Sequence, residues 1–218
     1  MVASAPERER TMRIGIIGSG NIGGTSAALL ARAGHDVVIA NRRGPESLAD
    51  LVGSIGPRAR AGTVEEAADT DVVIVAVPLS AREDLPADAL AGRIVIDAMN
   101  HYPDRDGHID AIETGETGSS EIVAALLPDA RVVKALNTIW YERLRTEGRA
   151  TGDPDRLAVP IAGDDADAKE VVAALIDDMG FDAVDAGSLR DGRRQQPGAP
   201  VYNRPLTADG VRAVLAEG

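Results

Sequence analysis

The chain has 218 residues, 44% of them hydrophobic but only 2% aromatic, and a formal net charge of −12 at pH 7. That length suits one domain, or one with a small extension, around a core of Val, Ile, Leu and Ala. The acidity argues against nucleic acid or anionic membrane as a partner, and any anion site must be locally basic. With no cysteine, disulfides, thiolate metal sites and cysteine nucleophiles are excluded; His35, His101 and His108 lack metal-ligand spacing, so no metal is expected.

Residues 1–11 are polar and charged, without the apolar stretch of a signal peptide. They read as a disordered tail, or as an over-long start with Met12 as the functional beginning. No apolar run reaches the ~18 residues that span a bilayer, and a cytoplasmic location is expected.

From Met12 a short apolar strand breaks into Gly18-Ser19-Gly20-Asn21-Ile22-Gly23, and an Ala/Leu-rich helix follows over 25–32. A G-x-G-x-x-G between strand and helix is a dinucleotide-binding fingerprint. Gly18 permits the tight turn, Gly20 lets the backbone approach a pyrophosphate, and Gly23 lets the helix pack closely. Ser19, Asn21 and Ile22 complete the cradle, with the phosphates at the positive end of the helix.

The next strand, 36–40, ends in Asn41-Arg42-Arg43. An NAD site normally places Asp or Glu there, about 20 residues beyond the glycines, to bind the ribose 2′-hydroxyl. Here Asn41 replaces the acid, and two guanidinium groups follow that could hold a 2′-phosphate through paired hydrogen bonds. The alternative is a solvated turn; the position favours NADP(H).

Further along, 45–55 reads as a helix, 58–61 as a short strand, and Thr63-Val64-Glu65-Glu66 as a capped helix start. The continuous apolar run 71–77 is expected as a buried central strand. It stops at Pro78, so Ala76, Val77 and Pro78 fall at the carboxyl edge where such sheets bind ligands. A helix through 85–90 leads to a strand at 93–97. Residues 98–118 then read as a long loop of few apolar residues, functional or mobile. A helix at 120–127, a strand at 131–136 and an irregular or helical piece to 148 follow. The last unit is a strand at 157–162, a helix at 165–179 and a strand at 181–186, placed on the far side of the same sheet. The tail from Gly187 carries a short helix after Thr207. The alternation predicts a mainly parallel sheet covered on both faces.

The glycine motif, Asn41-Arg42-Arg43, Ala76-Val77-Pro78, Val133-Lys134-Ala135-Leu136-Asn137-Thr138 and the stretch 161–187 together resemble the NADP oxidoreductases that depend on the deazaflavin coenzyme F420. The resemblance covers about residues 12–187. It implies a Rossmann-type, doubly wound α/β fold, with an NADP-binding domain over 12–150. A small C-terminal α/β unit over 151–218 would pack on the cofactor cleft, usually in a homodimer. The nicotinamide would stack there against F420 or a flavin-like acceptor. Two departures lie on the acceptor side: Asn137 stands where the family often carries His, and 193–202 is polar.

Hydride transfer between stacked rings needs closeness and exclusion of water more than a proton donor. No dedicated acid or base stands out; His101, Lys134, Tyr102 and Tyr141 are isolated candidates. No catalytic residue is therefore assigned. Asn100, Asn137 and Thr138 are the acceptor-side candidates, either bonding the nicotinamide amide or a ring carbonyl, or satisfying turn backbone. Trp140 reads as a core or dimer anchor ahead of a substrate platform, His101 and His108 as solvated, Asp97 as a turn cap, Asp164-Asp165 as a helix N-cap, and Glu113 and Glu116 as surface charge. The rival functions are an NADPH-dependent reductase of a small imine or carbonyl compound, and a non-catalytic NADPH sensor.

Overall fold

A computed structural model describes residues 11–217; apart from Thr11, the segment read as a disordered tail lies outside them. Eight strands form one sheet in the order β3-β2-β1-β4-β5-β6-β7-β8. They are β1 (Arg13–Ile17), β2 (Asp36–Ala40), β3 (Ala59–Ala61), β4 (Val72–Val75), β5 (Ile94–Asp97), β6 (Arg131–Lys134), β7 (Ala158–Gly163) and β8 (Asp182–Asp185). The first six run parallel, β7 pairs antiparallel with β6, and β8 runs parallel to β7. The fold is thus the doubly wound α/β type read from the sequence, and the 157–186 unit continues the sheet.

The order reverses between β1 and β4, which opens a crevice at the carboxyl ends of these strands. Alternate side chains serve the two faces. Ile14, Ile16, Val37 and Ile39 pack under α1 (Asn21–Arg32), whereas Ile17, Val38 and Ala40 join the core on the other side. Phe181 is buried in the first of these clusters; the remainder is aliphatic.

The helices after β2 are α2 (Ala49–Ile55), preceded by a 3-10 turn, and α3 (Val64–Ala68). Thr63 and Glu66 close the expected capping box: the Glu66 N–H donates to Thr63 Oγ1 at 3.2 Å, and the Thr63 N–H to Glu66 Oε2 at 2.8 Å. Between β4 and β5 stand a 3-10 turn at Leu79–Asp84 and the short α4 (Ala87–Leu90).

Residues 98–118 are not the structureless loop expected. They hold two single-turn helices, α5 (Pro103–Asp106) and α6 (Asp110–Glu113). Side chains substitute for apolar packing there: Asp106 accepts from the backbone N–H groups of Ser80 and Tyr102, and Glu113 from that of Ile109. Next come α7 (Ser119–Leu126) and α8 (Tyr141–Thr146). The helix α9 (Ala166–Asp178) is N-capped by Asp165, whose carboxylate also takes two hydrogen bonds from Arg131. These contacts hold Asp165 well below the usual carboxylate range, with the arginine dominant. Asp164 instead accepts from the Leu189 N–H.

The polar tail is folded. A 3-10 segment, Leu189–Gln195, packs on β6, β7 and α7, and the chain ends in α10 (Ala208–Ala216). Among the described residues no helix is long and apolar enough to cross a membrane.

Candidate functional site

At the carboxyl end of β1 the backbone turns at Gly18, φ +113°, and the Gly18 N–H donates to the Ala40 carbonyl at the end of β2 over 2.9 Å. A Cβ at Gly18 would lie 2.3 Å from the Ala76 carbonyl oxygen, and one at Gly23 would lie 1.9 Å from the Gly18 oxygen. Both positions therefore demand glycine. Gly20 differs: a Cβ there would meet nothing within 4 Å, and the residue lines the cleft. Gly20 also caps α1 without any side-chain hydrogen bond to the first turn, where Asn21 and Ile22 border the same cleft. The donors of a twelve-residue helix thus stand beside open space, an arrangement that fits a pyrophosphate.

Asn41 continues the turn from β2. Its Nδ2 donates to Ser19 Oγ at 3.0 Å and to Ser47 Oγ at 3.1 Å, while its Oδ1 accepts from the Arg43 N–H at 2.8 Å. The residue that replaces the ribose-binding acid thus ties three segments together. Arg42 and Arg43 sit on this turn with exposed guanidinium groups that take no side-chain partner among the described residues. In a chain of net charge −12, two exposed guanidinium groups beside the glycine turn are a local concentration of positive charge.

The cleft itself holds about 430 Å³, within the ~300–1,000 Å³ common for small-molecule sites. Ala76, Val77 and Pro78 form one wall. Asn100, Asn137 and Thr138 all border it, so the structure brings the acceptor-side candidates together with the glycine turn. The two asparagines are reciprocally bonded: Asn137 Nδ2 donates to Asn100 Oδ1 at 3.0 Å, and Asn100 Nδ2 to the Asn137 carbonyl at 2.9 Å. Asn137 Nδ2 also donates to the Gln195 carbonyl at 2.7 Å, which fixes its amide and leaves buried Oδ1 without a protein partner. Thr138 is buried, and its carbonyl accepts from the Asn203 N–H. Leu136, just before this pair, holds φ +63°, a conformation costing a β-carbon residue on the order of 1–3 kcal/mol and met most often beside functional sites.

Several residues have surroundings other than the sequence suggested. Trp140 is no core anchor: it is 49% exposed and lines the cleft, edge-on to Tyr141. His101 is buried, with Nε2 against Glu113, whereas His108 is exposed and meets the same carboxylate. That carboxylate raises the His108 pKa, and His108 in turn lowers that of Glu113. Lys134 is 1% exposed, too deep to meet a substrate. Its Nζ donates to Ser119 Oγ at 3.0 Å, to Ser120 Oγ at 2.9 Å and more weakly to the Met99 carbonyl. Burial pulls its pKa down, and the Asp97 charge opposes that shift. Asp97 caps a turn as expected, accepting from the Met99 N–H, and in addition takes the Ser120 hydroxyl proton in a hydrogen bond.

Sequence reasoning missed Tyr202 and Arg105 as cleft residues. Arg105 stacks 4.8 Å over the Tyr102 ring and donates to the Asn100 carbonyl at 2.8 Å. No spacing rule points to either residue, because only the folded tail brings 202 against the loop after β5.

The family described as NADP oxidoreductase, coenzyme F420-dependent, matches residues 13–101. A hypothetical protein of Sinorhizobium meliloti has a similar structure, with TM-score 0.77 and 34% identity over 92% of this chain and 97% of its own. A protein of Arthrobacter sp. FB24, provisionally assigned as an F420-dependent NADP reductase, gives TM-score 0.74 and 26% identity over 90% and 99%. The metalloreductase STEAP3 of Rattus norvegicus is 34% identical over 184 residues, 83% of this chain but 35% of its own length. The chain thus spans about a third of that relative.

Proposed function

We propose that the chain, whose residues 13–101 match the coenzyme F420-dependent NADP oxidoreductase family, is a member of it and transfers a hydride between NADPH and a deazaflavin or flavin-like acceptor. NADPH, when bound, supplies the hydride. The protein's part is to grip and orient. Gly18 to Ile22 take the pyrophosphate, Asn41 braces the turn, and Arg42 and Arg43 clamp the 2′-phosphate. Ala76, Val77 and Pro78 border the path toward the nicotinamide. Asn100 and Asn137, bonded to each other, border that path at its far end.

One observation carries the acceptor reading: the aromatic side chains of Trp140, Tyr102 and Tyr202 border the same cleft as the glycine turn. Flat apolar plates suit a fused ring system. The two buried candidates for acid–base work, Lys134 and His101, are tied to Ser119 and Ser120 and to Glu113. Ring-to-ring transfer asks for alignment and dryness, which such walls supply.

Incubation with NADPH and, separately, F420, FMN, FAD and a set of cyclic imines tests this, by following loss of nicotinamide absorbance. The reading expects turnover with F420 or a flavin. Turnover confined to imines would make the protein a small-molecule reductase. Tight NADPH binding without oxidation by any of them would make it a sensor.

A further inference from the structure

Tyr102 and Tyr202 lie a hundred residues apart, yet their hydroxyl groups are hydrogen-bonded to each other and both residues border the cleft. Each is carried on an anchored segment. The Tyr102 N–H donates to Asp106 Oδ2 at 2.9 Å, and Arg105 covers its ring. On the other side, the Tyr202 N–H donates to the Ala199 carbonyl, and the Asn203 N–H to the Thr138 carbonyl at 2.8 Å. Asn203 adopts φ +56° beside a buried Val201. Burial first, and then the bond to Tyr102, pushes the Tyr202 phenol up.

We propose that the Tyr102–Tyr202 hydrogen bond is a clasp that fixes the acceptor end of the cleft, which makes both tyrosines positioning residues for the second substrate. The contact joins the loop after β5, which supplies Asn100, to the tail segment whose backbone holds Thr138. It therefore fixes how the Tyr102 loop and the Tyr202 segment stand against each other at the end of the cleft where an acceptor ring would lie. The turn read as the 2′-phosphate site stands apart from it: residues 41–43 do not line this cleft, whereas Gly20, Asn21 and Ile22 border its other end. The inference rests on the reading that a flat acceptor occupies this cleft.

Tyr102→Phe, Tyr202→Phe and the double variant each keep the rings and remove one or both hydroxyls. With F420 as acceptor, each single change should raise its KM roughly three- to ten-fold, the worth of one hydrogen bond. The double variant should match the singles, because the same bond is already gone. Changes in kcat and in NADPH affinity should stay within about two-fold. Hydrogen exchange on the protein alone supplies a second readout: the Asn203 amide should lose protection in either single variant. Additive effects, equal losses in NADPH affinity, or an unchanged F420 KM would overturn the proposal, and so would unchanged exchange at Asn203. Wild-type protein that oxidises no NADPH with F420 or a flavin refutes the acceptor reading instead, while the exchange experiment still reports whether the clasp exists.

Discussion

The Asn41 side-chain amide donates to the Ser19 hydroxyl across 3.0 Å, locking the end of β2 to the glycine turn. An aspartate at this position could not donate, and it would set a negative charge beside the 2′-phosphate. Asn41→Asp should therefore weaken NADPH binding by about ten- to a hundred-fold, the worth of one or two charge-assisted hydrogen bonds. NADH binding should change much less or improve, since an acid there can bind the free ribose. Fluorescence titration with both nucleotides measures the ratio.

A different glycine tests the fold alone. A Cβ on Gly15, in the middle of β1, would sit 1.8 Å from the Ala67 carbonyl oxygen of α3. That backbone cannot yield as a side-chain tip can, so Gly15→Ala should lose at least ~1–3 kcal/mol, the usual cost of overpacking. Thermal or urea unfolding would show it as a lower midpoint.

Lys134 and Asp97 form a buried charge system bridged by Ser120. The Ser120 hydroxyl donates to Asp97 while accepting from Lys134, and the two Ser hydroxyls with the Met99 carbonyl give the three ammonium protons a place. Lys134→Met removes the donor shared by Ser119, Ser120 and the Met99 carbonyl and leaves Asp97 in the core with the Ser120 hydroxyl alone beside it on that side. Leaving buried polar groups without their donor costs about 1–3 kcal/mol. Denaturant unfolding should show that loss, and a second substitution, Asp97→Asn, should recover part of it.

The alternation of strands and helices, the glycine turn and the Thr63 cap were legible because each is written in a contiguous stretch. Strand ends were placed within about two residues for the same reason, since apolar runs and Gly or Pro breaks are local signals. What stayed hidden depends on contacts far apart in the chain. Residues 98–118 look structureless until Asp106 and Glu113 are seen gathering backbone N–H groups. Gln195, polar and fully buried, gives no hint in its neighbours that the tail folds inward. The antiparallel β7 likewise follows from how the chain returns after α8.

Asp106 makes a pH-dependent contribution to that loop. Burial alone would raise its pKa, but the Arg105 guanidinium and the N–H groups of Tyr102 and Ser80 outweigh it and hold the carboxyl at about 2. A depressed carboxylate stabilises the fold above its unfolded value of about 3.9, and that help fades as pH falls through the folded value. Wild type should therefore melt higher than Asp106→Asn at pH 7, with the gap closing from about pH 4 down to pH 2. Melting curves for both proteins across that window would reveal the convergence, and a constant gap would contradict it.

The proposed activity depends first on Arg42 and Arg43 recognising a phosphorylated adenosine beside the glycine turn. Calorimetric titration of wild type and of the Arg42→Ala, Arg43→Ala double variant with NADPH and NADH tests it most directly. Wild type should prefer NADPH, and the double variant should lose about ten- to a hundred-fold in NADPH affinity while NADH binding changes little. Equal losses for the two nucleotides, or no preference in wild type, would contradict it.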